Sequence, residues 1–286
     1  MAADTPRRLL VATDLSDRAG PALRRAVQLS GEVDASLTAL HVVPARLSAT
    51  PGVDLAEIAR ACLATHLHQH IGTTPVATVV RRGRVVCEIV AEAAERGADL
   101  LVVGAHGEHW LGGPALGSTP ENLVRAAEVP VLVVRGPVDG AYRRVVLGFD
   151  PSPLAAEAAH LACALSPNAE HLVVHLDAVI GETLLRLHGT SEEDLAQLRR
   201  VSTERVRGLV ERLAGELDPA PSRVLIGSGR PQARLAPLSR RLGADLVALG
   251  TGDRSALGYA LLGSVAQHVL REATADVLVV PATGEG

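Results

Sequence analysis

Short apolar runs alternate with stretches of 3.6-residue periodicity along the first half of this chain. Leu9–Ala12, Leu37–Val43, Val76–Val80, Leu100–Val103 and Val131–Val134 are strand-like in composition and too short for helices. The first four lack polar alternation, as expected of strands covered on both faces by helices. Between them, Ala19, Ala22, Leu23, Ala26 and Val27 keep helical spacing, as do Val85, Val86, Ile89, Val90 and Ala93, and Gly97 stands where that second helix would end. Alternation of this kind predicts an α/β fold with a parallel, doubly wound sheet. Ligands of such sheets sit beyond the carboxyl ends of the strands, at the switch in strand order. The loops after Ala12, Val43 and Val103 are therefore where chemistry is expected.

The chain then repeats itself. Arg7-Arg8-Leu-Leu-Val-Ala-Thr-Asp14 matches Arg143-Arg144-Val-Val-Leu-Gly-Phe-Asp150 at an offset of 136 residues. Gly97-Ala-Asp-Leu-Leu-Val-Val-Gly104 matches Gly243-Ala-Asp-Leu-Val-Ala-Leu-Gly250, and Val129-Pro-Val-Leu-Val-Val134 matches Ala275-Asp-Val-Leu-Val-Val280, both at 146. The second copy thus carries about ten extra residues, expected around the charged helical stretch 191–217. Proline and glycine at Gly136-Pro-Val-Asp-Gly140 interrupt the pattern and mark the boundary. Two tandem domains follow, 1–137 and 140–286, each with a five-stranded, mostly parallel sheet flanked by helices.

Composition narrows the function classes. Of 286 residues 47% are hydrophobic, enough for buried cores, and the net charge of −4 suggests neither nucleic acid nor an anionic membrane as partner. All 28 basic residues are arginine, so a phosphate site here works without the usual loop lysine. The N-terminus has no secretory pattern, and no apolar run nears the roughly 20 residues that cross a bilayer, so a cytoplasmic protein is expected. Cys62, Cys87 and Cys163 show no metal or redox spacing and read as reduced, partly buried thiols.

The loop after the fourth strand runs Gly104-Ala105-His106-Gly107 and continues to Gly117-Ser118-Thr119-Pro120-Glu121. Glycines let backbone approach a ligand closely. Ser118 or Thr119 can cap the next helix, and Ser118-x-x-Glu121 has the form of a capping box. Amides at a helix start favour an anion such as phosphate, which Glu121 partly opposes. By itself such a turn is equally well explained as structure.

The spacing Gly104-x2-Gly107-x9-Gly117-Ser118 resembles the ATP-binding signature Gly-x2-Gly-x9-Gly-(Ser/Thr) of the universal stress protein family. Asp14 after the first strand, His41-Val42 after the second and the closing Val-Pro-Val-Leu-Val-Val agree with that family, in its tandem two-domain form. The resemblance implies the HUP-type fold, related to the adenine-nucleotide α-hydrolases, and an ATP-binding sensor rather than a catalyst. Carried over by position, it implies that Ala12 and Asp14 border the adenine and ribose and that the Val42 backbone meets the adenine edge. Gly104, Ala105, His106 and Gly107 close on ribose and phosphate, and Gly117, Ser118 and Thr119 hold phosphate oxygens. His106 and His109 are the loop's two ionisable groups able to become positive. A divalent ion, Mg2+ or Mn2+, is expected on the phosphates. The resemblance further implies antiparallel pairing of the last strands of the two copies, and it leaves room for a homodimer.

The second copy departs from the signature. Gly250, Gly263 and Ser264 match, and with Asp150 and Leu176 they outline a weak second site. Asp253 replaces the middle glycine, and a carboxylate about 4 Å from phosphate costs on the order of 4 kcal/mol before screening. Phe149 adds bulk where the first copy has Thr13, and Arg254 offsets part of the charge. The second domain is therefore expected to be mainly structural, with its helix start kept by Ser264-x-x-Gln267.

Other features read as structure first. His66, His68 and His70 cluster on a helical stretch, and no carboxylate or Cys completes a metal set, so an exposed helix end is expected. Trp110 reads equally as a stacking residue or as packing at the loop tip. Asp14 and His106 are the two candidates for a base in a slow ATPase or nucleotidyl transferase, and no surrounding constellation supports either. A scaffold that has lost nucleotide binding is the third reading.

Overall fold

The computed structural model describes residues 5–47, 54–107, 116–177, 182–252 and 262–282. His109, Trp110, Asp253 and Arg254 lie outside the described residues. The first half runs β1 (Arg8–Thr13), α1 (Gly20–Glu32), β2 (Ser36–Pro44), α2 (Leu55–Ile71), β3 (Ala77–Gly83), α3 (Val85–Arg96), β4 (Leu100–Gly104), α4 (Ser118–Ala126) and β5 (Val131–Val134). The second runs β6 (Arg144–Gly148), α5 (Pro153–Leu165), β7 (Glu170–Asp177), α6 (Glu182–Leu187), α7 (Glu192–Ala214), β8 (Arg223–Ser228), α8 (Pro231–Leu242), β9 (Leu246–Gly250), α9 (Ser264–Glu272) and β10 (Asp276–Val280). The extra residues of the second copy form α6 and lengthen α7 to 23 residues, against 17 in α2.

Two repeated motifs have one structural cause. Asp99 Oδ2 accepts from the backbone N–H groups of Arg7 and Arg8 at 2.8 and 2.9 Å, and Asp245 Oδ2 accepts from those of Arg143 and Arg144 at the same distances. The aspartate entering the fourth strand of each copy thus pins the start of the first. Gly97 and Gly243, both left-handed, end the preceding helices and turn the chain toward that aspartate.

The strands form one ten-stranded sheet in the order β3-β2-β1-β4-β5-β10-β9-β6-β7-β8. Every pairing is parallel except that of β5 with β10, where Leu132 lies opposite Leu278. What would be an unpaired apolar edge in each half becomes the centre of the sheet, which removes two exposed ladders. Period-two alternation sends Leu9, Val11, Leu132, Leu147 and Leu278 into one apolar layer under α1, α2, α5 and α7. It sends Leu10, Val103, Val133, Val247 and Val279 into the other, under α3, α4, α8 and α9. Both layers run through both halves.

β3 continues beyond its predicted end at Val80, through Arg81 and Arg82. Apolar continuity stops there, yet the strand persists because Arg81 lies against α3 and pairs with Glu88, Glu92 and Glu95. Among the described residues no helix is long and apolar enough to cross a membrane.

Candidate functional site

In the first half the strand order reverses at β1, whose neighbours are β2 and β4. The loops leaving β1 and β4 therefore meet over the carboxyl edge of the sheet. Ala12 is the last residue of β1 paired to β4, opposite Val103. Thr13 closes the ladder with β2 opposite His41, whose Nδ1 bonds the Thr13 carbonyl at 2.9 Å. Val42 lies one residue beyond that ladder, its side chain buried and its backbone paired with Arg81 on the β3 side.

Two side-chain turns shape the loop after β1. Thr13 Oγ1 accepts from Leu15 N at 3.1 Å, and Asp14 Oδ1 accepts from the N–H and hydroxyl of Ser16 at 3.1 and 2.6 Å. Between them Leu15 takes φ 67°, a left-handed value uncommon for a residue with a Cβ. The carboxylate of Asp14 is turned onto the β4 loop, against the Cα of Gly107.

That second loop is closed at its base by two backbone bonds, Ala105 N to Val134 O at 2.8 Å and Gly117 N to Ala105 O at 2.9 Å. Gly104, Ala105, His106, Gly107 and Gly117 are thereby held together beside Asp14. Gly117 is the N-cap of α4, with an extended backbone and no side-chain cap, and Ser118 and Thr119 are its first two helical residues. The expected capping box is not formed, because Ser118 already has helical geometry and its hydroxyl cannot reach back as a cap. The first-turn amides are left without a side-chain cap, and the Ser118 and Thr119 residues are exposed. Glu121, the opposing charge, is engaged by Arg125 at 3.1 Å and by Arg271 of α9 at 2.9 Å. Burial resists ionisation of this carboxyl, but the two arginine bonds outweigh it and hold its pKa below the usual value.

His106, one of the two loop histidines able to become positive, is disfavoured in its charged form. Desolvation, then the charges of Arg135 and Arg18, lower its pKa and favour the neutral ring. Those arginines are the positive groups beside the loop that the pattern of the sequence did not reveal. Arg18 follows β1 in a one-turn 3-10 helix, Asp17–Ala19, and Arg135 follows β5, so neither belongs to the glycine loop itself.

The second half repeats the geometry. Thr251 N bonds Val280 O at 2.9 Å, and Gly263 N bonds Thr251 O at 2.7 Å. Asp150 turns onto Ser152, and His175 Nδ1 bonds the Phe149 carbonyl at 2.8 Å. Gly263 caps α9 by backbone alone, so the expected Ser264-x-x-Gln267 box is likewise absent, and Ser264 Oγ accepts from Gln232 instead. Here the strands enclose a cleft of about 240 Å3 whose lining includes Asp150, Leu176, Gly250, Gly263 and Ser264 together with Phe149.

The histidine cluster differs from the expected exposed helix end. His66 is 4% exposed and turned inward, its Nε2 3.1 Å from Thr13 Oγ1, and it meets His70 edge-on with ring centroids 4.5 Å apart. The inward face of α2 was hidden because two histidines one turn apart interrupt its apolar stripe. Among the described residues no three His, Cys, Asp or Glu side chains gather as a metal site. Cys163 is buried and its thiol pushed up to about 12, first by desolvation and then by Asp218, whereas Cys62 and Cys87 are exposed.

Comparison with known proteins gives a consistent result. The model of the universal stress protein family matches this chain twice, over residues 5–135 and 141–281. A universal stress protein of Mycolicibacterium smegmatis is 30% identical over 293 residues, which cover 95% of this chain and 96% of that protein. A universal stress protein structure from Archaeoglobus fulgidus superposes with TM-score 0.65 at 20% identity, covering 95% of this chain and 97% of that one. A Pseudomonas aeruginosa PAO1 structure gives 0.67 at 21% identity, covering 98% and 94%.

Proposed function

This chain belongs to the universal stress protein family, and on that premise we propose that its first half, residues 1–137, binds ATP and acts as a nucleotide-dependent regulator of contacts with a protein partner. The reading rests above all on how the loops after β1 and β4 meet: Asp14 lies against Gly107, and the Gly117–Ala105 bond ties the start of α4, which has no side-chain cap, to the same loop. The ribose hydroxyls fit the Asp14 carboxylate, and phosphate oxygens fit the amides and hydroxyls of Ser118 and Thr119. Ala12 and the Val42 backbone border the adenine. Pairing of Glu121 with Arg125 and Arg271 offsets the opposing charge in the first turn of α4.

The described residues build no metal site of their own, so a divalent ion fits only as a companion of the phosphates. We read the site as a sensor rather than a catalyst because Asp14 is engaged in the turn after β1, where its Oδ1 accepts from the N–H and hydroxyl of Ser16. Mass spectrometry of nucleotide released from freshly purified protein tests the ligand, and calorimetric titration with ATP tests the site. No heat and no thermal shift at millimolar ATP would leave the scaffold reading in its place, whereas turnover abolished by Asp14→Asn would favour the enzyme.

A second reading concerns residues 140–286. The cleft between Phe149, Leu176 and the start of α9 favours a nucleoside-sized occupant there. The sequence puts Asp253 where the first half has Gly107, so this site is expected to be weak beside the first. Adenosine competing as well as ATP for it, but not for the first half, is the expected outcome.

A further inference from the structure

The hydrogen bonds around Thr13 have a direction that follows from counting protons. Thr13 Oγ1 accepts from Leu15 N and has one proton to give. Thr13 is 6% exposed, and the nitrogen within reach of that proton is His66 Nε2, at 3.1 Å. A buried hydroxyl proton without an acceptor is costly, so Thr13 donates and His66 Nε2 accepts. This fixes His66 as the neutral tautomer with its proton on Nδ1.

We propose that His66 is a positioning residue for the nucleotide loop of the first half. As a neutral acceptor it orients Thr13, which holds the left-handed Leu15 turn that sets Asp14 against Gly107, and protonation of Nε2 weakens that hold. A protonated Nε2 is a donor, so the bond reverses and the buried Thr13 proton loses its acceptor.

The second half supplies the contrast. It keeps the aspartate turn, Asp150 onto Ser152, but has Phe149 in place of Thr13 and Pro151 in place of Leu15. Proline has no N–H to satisfy and its ring fixes a negative φ. With nothing left-handed to hold, the turn needs neither hydroxyl nor histidine. The hydroxyl and the strained turn occur together in one copy and are missing together in the other.

The groups facing His66 keep it neutral near pH 7. Burial and the His70 ring on α2 lower its pKa, Asp14 and Asp17 of the β1 loop raise it, and His41 of β2 lowers it, with a net shift downward. Arg24 of α1 reaches His70 Nδ1 at 3.3 Å and adds positive charge on that side. Nucleotide affinity of the first half is therefore full at neutral pH and falls only below the ordinary histidine range, as His66 takes up its proton.

This inference rests on the reading of the first half as the ATP site. Calorimetric titration of the full chain with ATP at pH 7.5 and 5.5 separates the two. Wild type is expected to weaken on acidification by about fivefold more than His66→Gln, whose amide oxygen accepts from Thr13 without titrating. The ATP phosphates titrate equally for both proteins and cancel in that comparison. Absence of binding at pH 7.5 would remove the site itself, whereas binding with equal pH ratios in both proteins would overturn the role of His66 alone. Nitrogen-15 spectra of the wild-type imidazoles give a readout independent of the variant. An Nδ1–H signal for His66 at pH 7.5 is expected, and an Nε2–H signal would overturn the proposal.

Discussion

A Cβ added to Gly107 would lie 2.5 Å from Asp14 Oδ2, so the side chain after β1 occupies the space that any larger residue in the β4 loop would claim. The glycine is required by this contact between two loops, far apart in sequence. Gly107→Ala is expected to push Asp14 from its place and weaken ATP by about tenfold, the equivalent of roughly 1.4 kcal/mol. Calorimetry reads the affinity. Melting should change little, because the displaced atom ends an exposed side chain.

Arg271 belongs to the second half but pairs with Glu121 in the first turns of α4. Arg271→Ala leaves Glu121 with Arg125 and adds negative charge beside the proposed phosphate position. ATP affinity is expected to drop about threefold, more at low salt than at high salt. Titration at two ionic strengths checks it, and a loss that ignores salt would count against an electrostatic cause.

Asp276 joins the halves. It accepts from Tyr142 Oη at 2.8 Å and Arg135 N at 2.8 Å, and it lies 3.3 Å from Arg25 Nε, with both charged side chains 6% exposed. The Arg25 guanidinium also stacks 3.9 Å from the Tyr142 ring centroid. Asp276→Ala strands a buried guanidinium, and a loss of about 3–5 kcal/mol is expected in urea unfolding. Arg25→Met with Asp276→Leu, which removes both charges, should recover much of that loss.

Acid should destabilise the fold as its buried histidines are forced to take up protons. Burial is the largest cause lowering the pKa of His66, His106 and His171. The unfolded chain therefore takes up these protons at higher pH than the folded one. Stability is full above the unfolded histidine value near 6.5 and declines as pH falls through and below it. Melting temperatures measured between pH 7.5 and 5 should fall, and His171→Gln should flatten part of the slope. A flat profile in the wild type would contradict the burial of these rings.

Much of this molecule could be read before it was folded. The strands at Leu9–Ala12 and Leu100–Val103 and the duplicated Arg-Arg and Gly-Ala-Asp motifs were visible because each is local or depends on a simple period. The bonds of Asp99 and Asp245 explain why those motifs recur together. The capping boxes misled because the same residues serve one position later, and only backbone dihedrals tell an N-cap from the first helical residue. The burial of His66, expected at an exposed helix end, was not legible because its partner, Thr13, is 53 residues away.

Sequence by itself determined which segments become strands and helices, that the unit occurs twice, and where glycines allow close approach, since these depend on side-chain periodicity and on the presence or absence of a Cβ. The antiparallel pairing of β5 with β10, which the family resemblance implies, is what the structure shows, whereas the tertiary structure alone decided that Arg271 neutralises a carboxylate in the other half and that Arg18 and Arg135 bring positive charge beside His106. The physical reason is distance. Desolvation and Coulomb interaction depend on what surrounds a group in space, and in a doubly wound sheet those neighbours come from strands and helices that the chain reaches only much later.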